Sequence, residues 1–286
     1  MITSIFATED ATLYEATQSQ NTGNDAILEL NKSGQISGSQ LAAGTLYNSR
    51  VLLNFDIASL SQSLVDTYGS IPTATSYSLK LWTVDATEVP SSYELEIMAV
   101  SQSWVRGTGK FYDYPVDEDS GVSWKYRDGY FSNTGTQWTT SSFASSNGAY
   151  YETGSTDFGG NYYYGKTTNG TDYTHIQSFE YETGDVDLDV TPSIEAIHAG
   201  TISNNGFIIK RSPSDETDLA PYGNLQFFSR DTHTMYLPRL ETKWDDSTWS
   251  TGSLNALNVD DDIVLYMKGL KPQYKNTSVE KFRVTG

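Results

Sequence analysis

Apolar and polar side chains alternate along several short segments of the chain, and this period of two predicts β-strands with one buried face. The clearest case is the segment 185–190, in which Val186, Leu188 and Val190 alternate with three aspartates. Three like charges would repel one another in a dry core, so we expect the aspartate face to lie in water. This segment is therefore predicted to be a half-buried strand.

A second segment, SRVLLNFDI at residues 49–57, is almost wholly apolar between an arginine and an aspartate. In an extended strand Arg50 and Asp56 lie about 20 Å apart, so they cannot pair with each other. We expect each side chain to hold a neighbouring strand or turn through charge-assisted hydrogen bonds. One face of the predicted strand carries Val51, Leu53, Phe55 and Ile57, and the other carries Leu52, Asn54 and Asp56.

Strand-like segments outnumber helical ones. Further strands are predicted in SIFATEDATLYE, DAILEL, YSLKLWTV, SYELEIMAV, NGFIIKRS, NLQFFSR, PRLETKW and DIVLYMKG. DIASLSQSLVD could form a short helical turn, and residues 191–200 give the best helix. Thr191 suits its N-cap, Pro192 its first position and Gly200 its C-terminal cap. The predicted fold is all-β, an antiparallel β-sandwich of jelly-roll type.

Residues 107–174 differ from the rest of the chain in being rich in Gly, Ser, Thr, Asn and Tyr. The segment is too long for an ordinary loop, and we interpret it as an insertion, partly hairpins, within a sandwich that spans residues 1–246. Its aromatic side chains could form a core, anchor a protein interface or stack on sugar rings, and all three interpretations stay open. The candidate interface or glycan contacts are Trp124, Tyr126, Tyr130, Trp138, Tyr162, Tyr163 and Tyr164.

Residues 247–286 form a separate region. A polar stretch, DDSTWSTGSLNALNVDDD, indicates a linker, and two strand-like pieces, DIVLYMKGL and VEKFRVTG, come after it. About forty residues are too few for an immunoglobulin-like domain, which takes ~100. We expect the start of a second, immunoglobulin-like β domain that is incomplete or is completed by a partner chain.

Charge and composition narrow the function classes. The formal net charge of −18 opposes phosphate backbones, so we expect no nucleic-acid partner. The absence of cysteine removes disulfides and thiolate metal sites. No apolar run is long enough for a membrane-spanning helix, and the opening residues lack the features of a signal peptide. These features predict a protein made in the cytoplasm.

No nucleophile elbow, phosphate-binding loop, dinucleotide fingerprint or zinc helix occurs in the sequence, and we predict no enzyme activity. His175, His198 and His233 show no ligand spacing, and His198 is interpreted as a residue stabilised by the dipole at a helix C-terminus. The acidic turns 117–119 and 260–262 could hold calcium through oxygen ligands. Neither turn has the spacing of a helix–loop–helix calcium loop, so we interpret both as solvated turns and predict no cofactor.

Several of these segments, taken in order, resemble the DNRLRE family of β-sandwich domains. SRVLLNFDI resembles the family's strand motif, in which an arginine opens a strand that ends in Phe-Asp. IPTATSYSLKLW, VSQSWVRGTG, VDLDVTPSIEAIHAG and FFSRDTHTMYLPRLETKW resemble later motifs, and the similarity spans residues 5–246. Arg230 and Asp231 belong to the last hairpin of this pattern. The resemblance implies structural roles for Arg230 and Asp231, as we expect for Arg50 and Asp56.

Some members of that family are carbohydrate-binding modules of polysaccharide-degrading enzymes. This chain departs from the family pattern at Arg106, where an acid often follows the tryptophan, and at Ile197 and His198, where a second tryptophan often closes the helical turn. A module that attaches to a polysaccharide or to a host surface glycan is therefore the alternative function. A hydrolase is a third hypothesis, since carboxylates are plentiful.

The C-terminal end is similar to virion structural proteins of tailed bacteriophages that infect marine cyanobacteria. The similarity lies in FFSRDTHTMYLPRLETKWDDSTWSTG, DDDIVLYMKGLKPQYK and EKFRV. Those proteins carry this sandwich followed by further β domains. The resemblance implies a non-enzymatic virion protein of the tail, neck or capsid decoration. We expect it in repeated copies or as a homo-oligomer, in contact with other virion proteins.

Overall fold

The computed structural model describes residues 1–33, 46–113, 120–129, 135–154, 158–181, 184–245, 266–268 and 283–285. Its strands are β1 (Ile2–Phe6), β2 (Glu9–Tyr14), β3 (Ile27–Ser33), β4 (Tyr47–Asn54), β5 (Ser76–Leu81), β6 (Thr83–Thr87), β7 (Ser92–Ala99), β8 (Tyr126–Asp128), β9 (Thr136–Gln137), β10 (Phe143–Ala144), β11 (Tyr151–Gly154), β12 (Asn161–Tyr163), β13 (His175–Glu180), β14 (Val186–Asp189), β15 (Phe207–Arg211), β16 (Gly223–Phe228), β17 (Arg239–Lys243), β18 (Tyr266–Lys268) and β19 (Arg283–Thr285). The α-helices are α1 (Ile57–Tyr68), α2 (Thr191–His198) and α3 (Pro213–Thr217). The chain forms two compact units, Met1–Asp246 and Ser247–Gly286.

The first unit is built on two large antiparallel sheets. The smaller sheet has the strand order β1-β17-β5-β14. The larger sheet has the order β13-β7-β15-β4-β3-β16-β6, and β2 also pairs with β4. Side chains from both sheets meet in one hydrophobic core. The prediction of an all-β antiparallel sandwich is confirmed.

The core between the sheets follows the predicted alternation of strands. We call the side of the larger sheet that faces this core its inner face, and the opposite side its outer face. The inner face presents Val51, Leu53, Leu95, Ile97, Phe207 and Ile209, which are fully buried together with Tyr77, Leu79, Leu81 and Leu240 of the smaller sheet. Burying each such side chain contributes roughly 1.5–3 kcal/mol.

The outer face of the larger sheet is buried as well, under the predicted insertion. A second hydrophobic cluster joins Ala11, Leu13, Leu52, Met98 and Ile208 of the sheet to Trp104, Val122, Trp124 and Trp138. Strands β8 to β12 lie within residues 107–174, and β10, β11 and β12 form a small sheet of their own. Part of the insertion therefore forms a third layer over the centre of the larger sheet, whereas its Tyr163 and Tyr173 join the core between the two sheets.

Helix α1 is longer than the short turn that the sequence indicates. Asp56 is its N-cap and accepts a hydrogen bond from the Ser59 backbone N–H at 2.9 Å. Gly69 ends the helix with φ +78°, a left-handed conformation that favours glycine. Leu60 and Leu64 face the core, so the i, i+4 pair seen in the sequence is the buried stripe of this helix.

Helix α2 lies where the sequence predicts it, but Thr191 is not its N-cap. Val190 takes the cap position, and the Thr191 hydroxyl instead accepts a hydrogen bond from the Tyr77 backbone N–H at 2.8 Å. Pro192 stands in the first turn. Gly200 follows the helix at φ +69°. The threonine thus fastens the helix to β5, a role that local sequence could not reveal.

The acidic strand β14 is half-buried as predicted. Val186 and Val190 are buried, whereas Asp187 and Asp189 are exposed. Asp187 accepts a hydrogen bond from Lys80 on β5 at 2.8 Å. In the second unit β18 and β19 pair antiparallel, and the immunoglobulin-like domain there stays a prediction.

Candidate functional site

Arg50 on β4 is one of the residues that attach the insertion to the outer face. Its Nε and Nη2 atoms donate to the two carboxylate oxygens of Glu216 on α3, both at 2.8 Å. Its Nη1 atom donates to the Gly159 carbonyl at 2.7 Å, and the guanidinium lies 4.8 Å from the ring centre of Trp124. The arginine that opens SRVLLNFDI therefore joins three segments that are distant in sequence.

A buried ion network surrounds Arg50. Lys210 on β15 lies 3.4 Å from Glu216 and 3.3 Å from Glu96, which is its register partner on β7. Burial raises the pKa of Glu216, but Arg50 and Lys210 outweigh that effect and hold it below its usual range. These side chains are at most 12% exposed, so their charges pair with one another and are not presented to a ligand.

Arg230 and Asp231 also make contacts within the protein. The Arg230 backbone N–H donates to the Asp10 carboxylate at 2.6 Å. Asp231 pairs with Arg106, whose Nη2 also donates to Asn24 at 3.0 Å. Arg106, which stands where the resemblance expects an acid, thus finds its acid in the last hairpin.

Four of the candidate aromatic contacts lie in the interior. Trp124 and Trp138 are each only 2% exposed in the outer-face cluster, and Tyr126 and Tyr163 are buried as well. The Trp138 indole N–H donates to the Ser123 carbonyl at 3.1 Å. A sugar or a partner protein cannot reach these rings in the folded chain, so their role as surface contacts is corrected to a role in the core.

The other candidate residues have different positions. Tyr162 is partly buried against the outer-face cluster, and burial raises its pKa to about 12. Tyr164 is exposed. Tyr130 and the acidic turns 117–119 and 260–262 lie outside the described residues. In the described part of the chain, no three His, Cys, Asp or Glu side chains are arranged to hold a metal ion.

A wide groove of the first unit lies between the insertion and helix α2. Its volume is about 1130 Å³, and it is open to solvent. Hydroxyl, amide and carboxylate groups dominate its walls. It is lined by Ser145, Asn147, Ala149, Tyr150, Thr167, Asn169, Gly170, Thr171, Asp172, Tyr173, His175, Pro192, Glu195, Ala196 and Thr201.

Tyrosines form one wall of this groove. The half-buried ring of Tyr150 meets Tyr163 edge-on at 5.2 Å between centroids. Tyr173 lies behind them, 6.5 Å from Tyr163. A half-exposed ring beside amides and hydroxyls is the combination that recognises polyhydroxylated ligands. Of these three tyrosines only Tyr150 is partly accessible to solvent, and it was not among the candidate residues of the sequence.

The groove contains His175 beside Ser193, with Nε2 and Oγ 2.8 Å apart. Burial lowers the pKa of His175 to about 4, so the imidazole is neutral at pH 7. Ser193 is fully buried, and its hydroxyl cannot reach a substrate. The two carboxylates of the groove, Asp172 and Glu195, are exposed, whereas a glycosidase acid is kept protonated by an apolar pocket.

His198 differs from its expected role. Its Nε2 lies 2.8 Å from the Ser61 hydroxyl, and its ring meets Tyr77 edge-on. Partial burial lowers the pKa of His198, and the opposing effect of Glu195 is smaller. The side chain therefore joins α2 to α1 as a neutral ring, and a dipole effect on its charged form is not needed to explain its position.

A second exposed feature is the edge strand β1. Ile2 is 63% exposed and Phe6 is 51% exposed. A shallow groove of about 330 Å³ lies beside this strand, between β1 and the α1 side chains Leu60, Leu64 and Tyr68. The sequence predicted a strand here but gave no sign that it lies at the edge of a sheet.

Comparison with protein-family models and with curated proteins finds no match for this chain. The described residues contain no helix long and apolar enough to cross a membrane. Among the described residues, the polar groove and the apolar edge strand are accessible features that bear on function.

Proposed function

We propose that this chain is a non-enzymatic structural component of a bacteriophage virion, in the tail, neck or capsid decoration, that acts through protein–protein contacts. The observation that carries the proposal is the exposed apolar edge strand β1. The similarity of the C-terminal segments to virion structural proteins supports the same class of function. Both features fit a protein whose task is to hold neighbours in a particle.

The edge strand supports this function because folded proteins normally protect such edges. Exposed backbone N–H and C=O groups along an edge can pair with another chain, and natural sequences prevent this with charges, proline or cover. Strand β1 reads ITSIF and has neither charge nor proline. Apolar side chains exposed on such an edge are typical of an interaction surface.

Mass spectrometry of purified phage particles tests this proposal. We expect peptides of this chain in intact particles that have been washed at high salt. The copy number per particle should be a small multiple of the number of subunits in a symmetric ring or of the number of equivalent positions in the capsid. Its presence only in the soluble fraction of infected cells would contradict a structural role.

The polar groove favours a second candidate, attachment to a glycan. Tyr150 offers a half-exposed ring, and the amides of Asn147 and Asn169 with the Thr171 hydroxyl offer donors and acceptors around it. Neutral polyols suit this lining, because the chain as a whole is strongly acidic and would repel anionic ligands. This candidate does not exclude the first, since a virion protein can also attach to a surface.

A glycan array followed by calorimetric titration tests this second candidate. Tyr150→Ala removes the accessible ring and should weaken a bound glycan about tenfold or more, since stacking and burial of one aromatic are worth more than ~1 kcal/mol. Asn169→Ala, at an exposed position, tests the groove without disturbing the core. Tyr164→Ala is the matched control outside the groove. Equal binding by all three variants would remove the groove from consideration.

A further inference from the structure

We propose that two copies of the chain join through the free edge of β1, in antiparallel register about a two-fold axis at Ser4. This inference rests on the proposed structural function and names the partner of its edge strand. It follows from the direction of the backbone groups, the distribution of charge and the self-complementary sequence of β1.

The backbone of β1 leaves one side unpaired. Towards β17, the Met1 carbonyl accepts from the Trp244 N–H at 3.1 Å, and the Ala7 N–H donates to the Pro238 carbonyl at 2.9 Å. Alternate residues of a strand point their polar groups in opposite directions. The N–H and C=O groups of Ile2, Ser4 and Phe6 therefore point away from β17. In the described ranges no strand pairs with that side.

Charge allows a copy of the chain to pair at this edge and opposes pairing at the other edge of the same sheet. Strand β14, at the far edge, exposes Asp187 and Asp189. A second β14 placed against it would set aspartates beside aspartates, which is destabilising. Strand β1 has no charged side chain, although the chain carries a net charge of −18.

The sequence of β1 is self-complementary about Ser4. In the antiparallel register that uses the free groups, Ser4 faces Ser4 of the second copy and Ile2 faces its Phe6. Both exposed apolar side chains are then covered by each other, once on each side of the axis. On the opposite side of the strand Thr3 faces Ile5 of the second copy, beside the groove of α1.

The charged row on β17 does not oppose this pairing. Lys243, Glu241 and Arg239 stand beside Ile2, Ser4 and Phe6 on the same face. Glu241 pairs with Lys243 at 2.9 Å and with Arg239 at 3.2 Å. Cations of the two copies would be three strand spacings apart, about 14 Å, which exceeds the screening length of ~8 Å at physiological salt.

A matched pair of lysine variants tests the interface in the full chain. Ser4 on β1 and Ser78 on β5 both face Glu241, one from each side of β17. Ser4→Lys and Ser78→Lys therefore both gain Glu241 as a favourable neighbour within the monomer, and Ser78→Lys also gains Asp189 on β14. Only Ser4→Lys places two cations directly opposite each other across the two-fold axis. Analytical ultracentrifugation should show dimerisation of Ser4→Lys weakened about tenfold or more, with Ser78→Lys unchanged.

A cysteine variant tests the register. The chain has no cysteine, so Ser4→Cys introduces a single thiol per copy. Directly opposed residues of a hydrogen-bonded antiparallel pair have Cα atoms about 5.5 Å apart, within the range that a disulfide spans. With oxidised glutathione, the two introduced thiols should join in one disulfide while the oxidant is reduced to two glutathione thiols. Ser78→Cys should remain monomeric on a non-reducing gel.

Each outcome decides the proposal. Dimers of the natural sequence that Ser4→Lys dissociates and Ser4→Cys cross-links support it. A natural sequence that is monomeric at every concentration, or dimers that survive Ser4→Lys, would overturn it. A dimer that fails to cross-link at Ser4→Cys would overturn the register. None of these results changes whether the chain is found in particles, so the virion function is tested separately.

Discussion

The two faces of strand β4 are buried to a similar extent by different means. On the inner face Val51 and Leu53 meet other aliphatic side chains, and the strand behaves as one layer of a β-sandwich. On the outer face Leu52 packs under tryptophans, and two residues away Arg50 holds a largely buried ion pair with Glu216. The inner face needs only apolar side chains of suitable size, whereas the outer face depends on specific polar geometry.

This difference shows that residue types typical of a binding site can instead serve to pack one layer of the protein on another. Tryptophans beside an arginine and acids, in a stretch rich in Gly and Tyr, resemble a ligand site in sequence. Here Trp124 is stacked under Arg50, and Glu216 completes the charge. The insertion covers the outer face of a sheet whose inner face is already packed. Its large rings fill the space above that outer face, and the paired charges of Arg50 and Glu216 hold the two layers together.

The largest effect is expected from breaking the outer-face ion pair. Arg50→Met leaves Glu216 buried with only Lys210 beside it, and loss of one partner of a buried pair costs roughly 3–5 kcal/mol. Urea unfolding measures this change. Asp187→Asn is the control, because Asp187 is more than half exposed and its partner Lys80 keeps Glu241 at 3.4 Å, and exposed pairs contribute at most about 1 kcal/mol. Equal effects of the two variants would mean that the Arg50 pair is solvated.

The next test compares adjacent residues on the two faces. Leu52→Ala and Leu53→Ala should each cost about 2–5 kcal/mol, because both side chains are fully buried and leave cavities. The two variants share chemistry, strand and exposure, and differ only in the face. A much smaller cost for Leu52→Ala in the same urea experiment would show that the insertion is a loose cover.

A pH-dependent test addresses the rim of the inner face, where His175 lies opposite Ile97. Burial lowers its pKa from 6.5 to about 4. Between pH 6.5 and 4 the His175 side chain is protonated in the unfolded chain but stays neutral in the folded chain. The free energy of unfolding therefore falls over this range by up to about 3 kcal/mol. His175→Gln should remove this share of the acid sensitivity.

Urea unfolding at pH 7 and pH 4 measures the difference for His175→Gln and for the parent chain. His233→Gln is the control, since His233 lies exposed. The prediction fails if His175→Gln and the parent lose the same free energy of unfolding between the two pH values.

The smallest loss of stability is expected from a change at Asp56, just after the end of β4. Asp56 is exposed and accepts hydrogen bonds from the Ser59 hydroxyl and from the Ser59 N–H, the second of which caps α1, and these hydrogen bonds lower its pKa. Asp56→Ala should lower the melting temperature by less than Leu52→Ala, while Asp56→Asn keeps the capping oxygen and should change it less still. A loss as large as that of Leu52→Ala would assign Asp56 a role beyond capping.

Much of the inner face could be predicted from the sequence, because alternation reports directly on a strand with one buried side. Val186 with Asp187, and Leu95 with Glu94, show this clearly. The length of α1 and the cap of α2 could not be predicted. Thr191 is used by the backbone of Tyr77, more than a hundred residues away, and no local pattern contains that contact.

The candidate sites were less predictable for the same reason. Trp124 and Trp138 look like surface contacts only while the layer beneath them is unknown. The groove gathers Tyr150, His175 and Glu195 from the insertion, a strand and a helix, and no motif connects them. The free edge of β1 follows from strand order, which depends on pairing across more than two hundred residues.

The junction at Arg50 also constrains how the chain reaches and leaves its native state. The guanidinium joins backbone and side-chain atoms 109 and 166 positions further along the chain. Such a contact cannot form until nearly the whole first unit has been synthesised. Local unfolding of one chain end does not by itself break it. The Tyr-rich layer should accordingly resist proteases for as long as the sheets beneath it stay folded, and become cleavable only when they come apart.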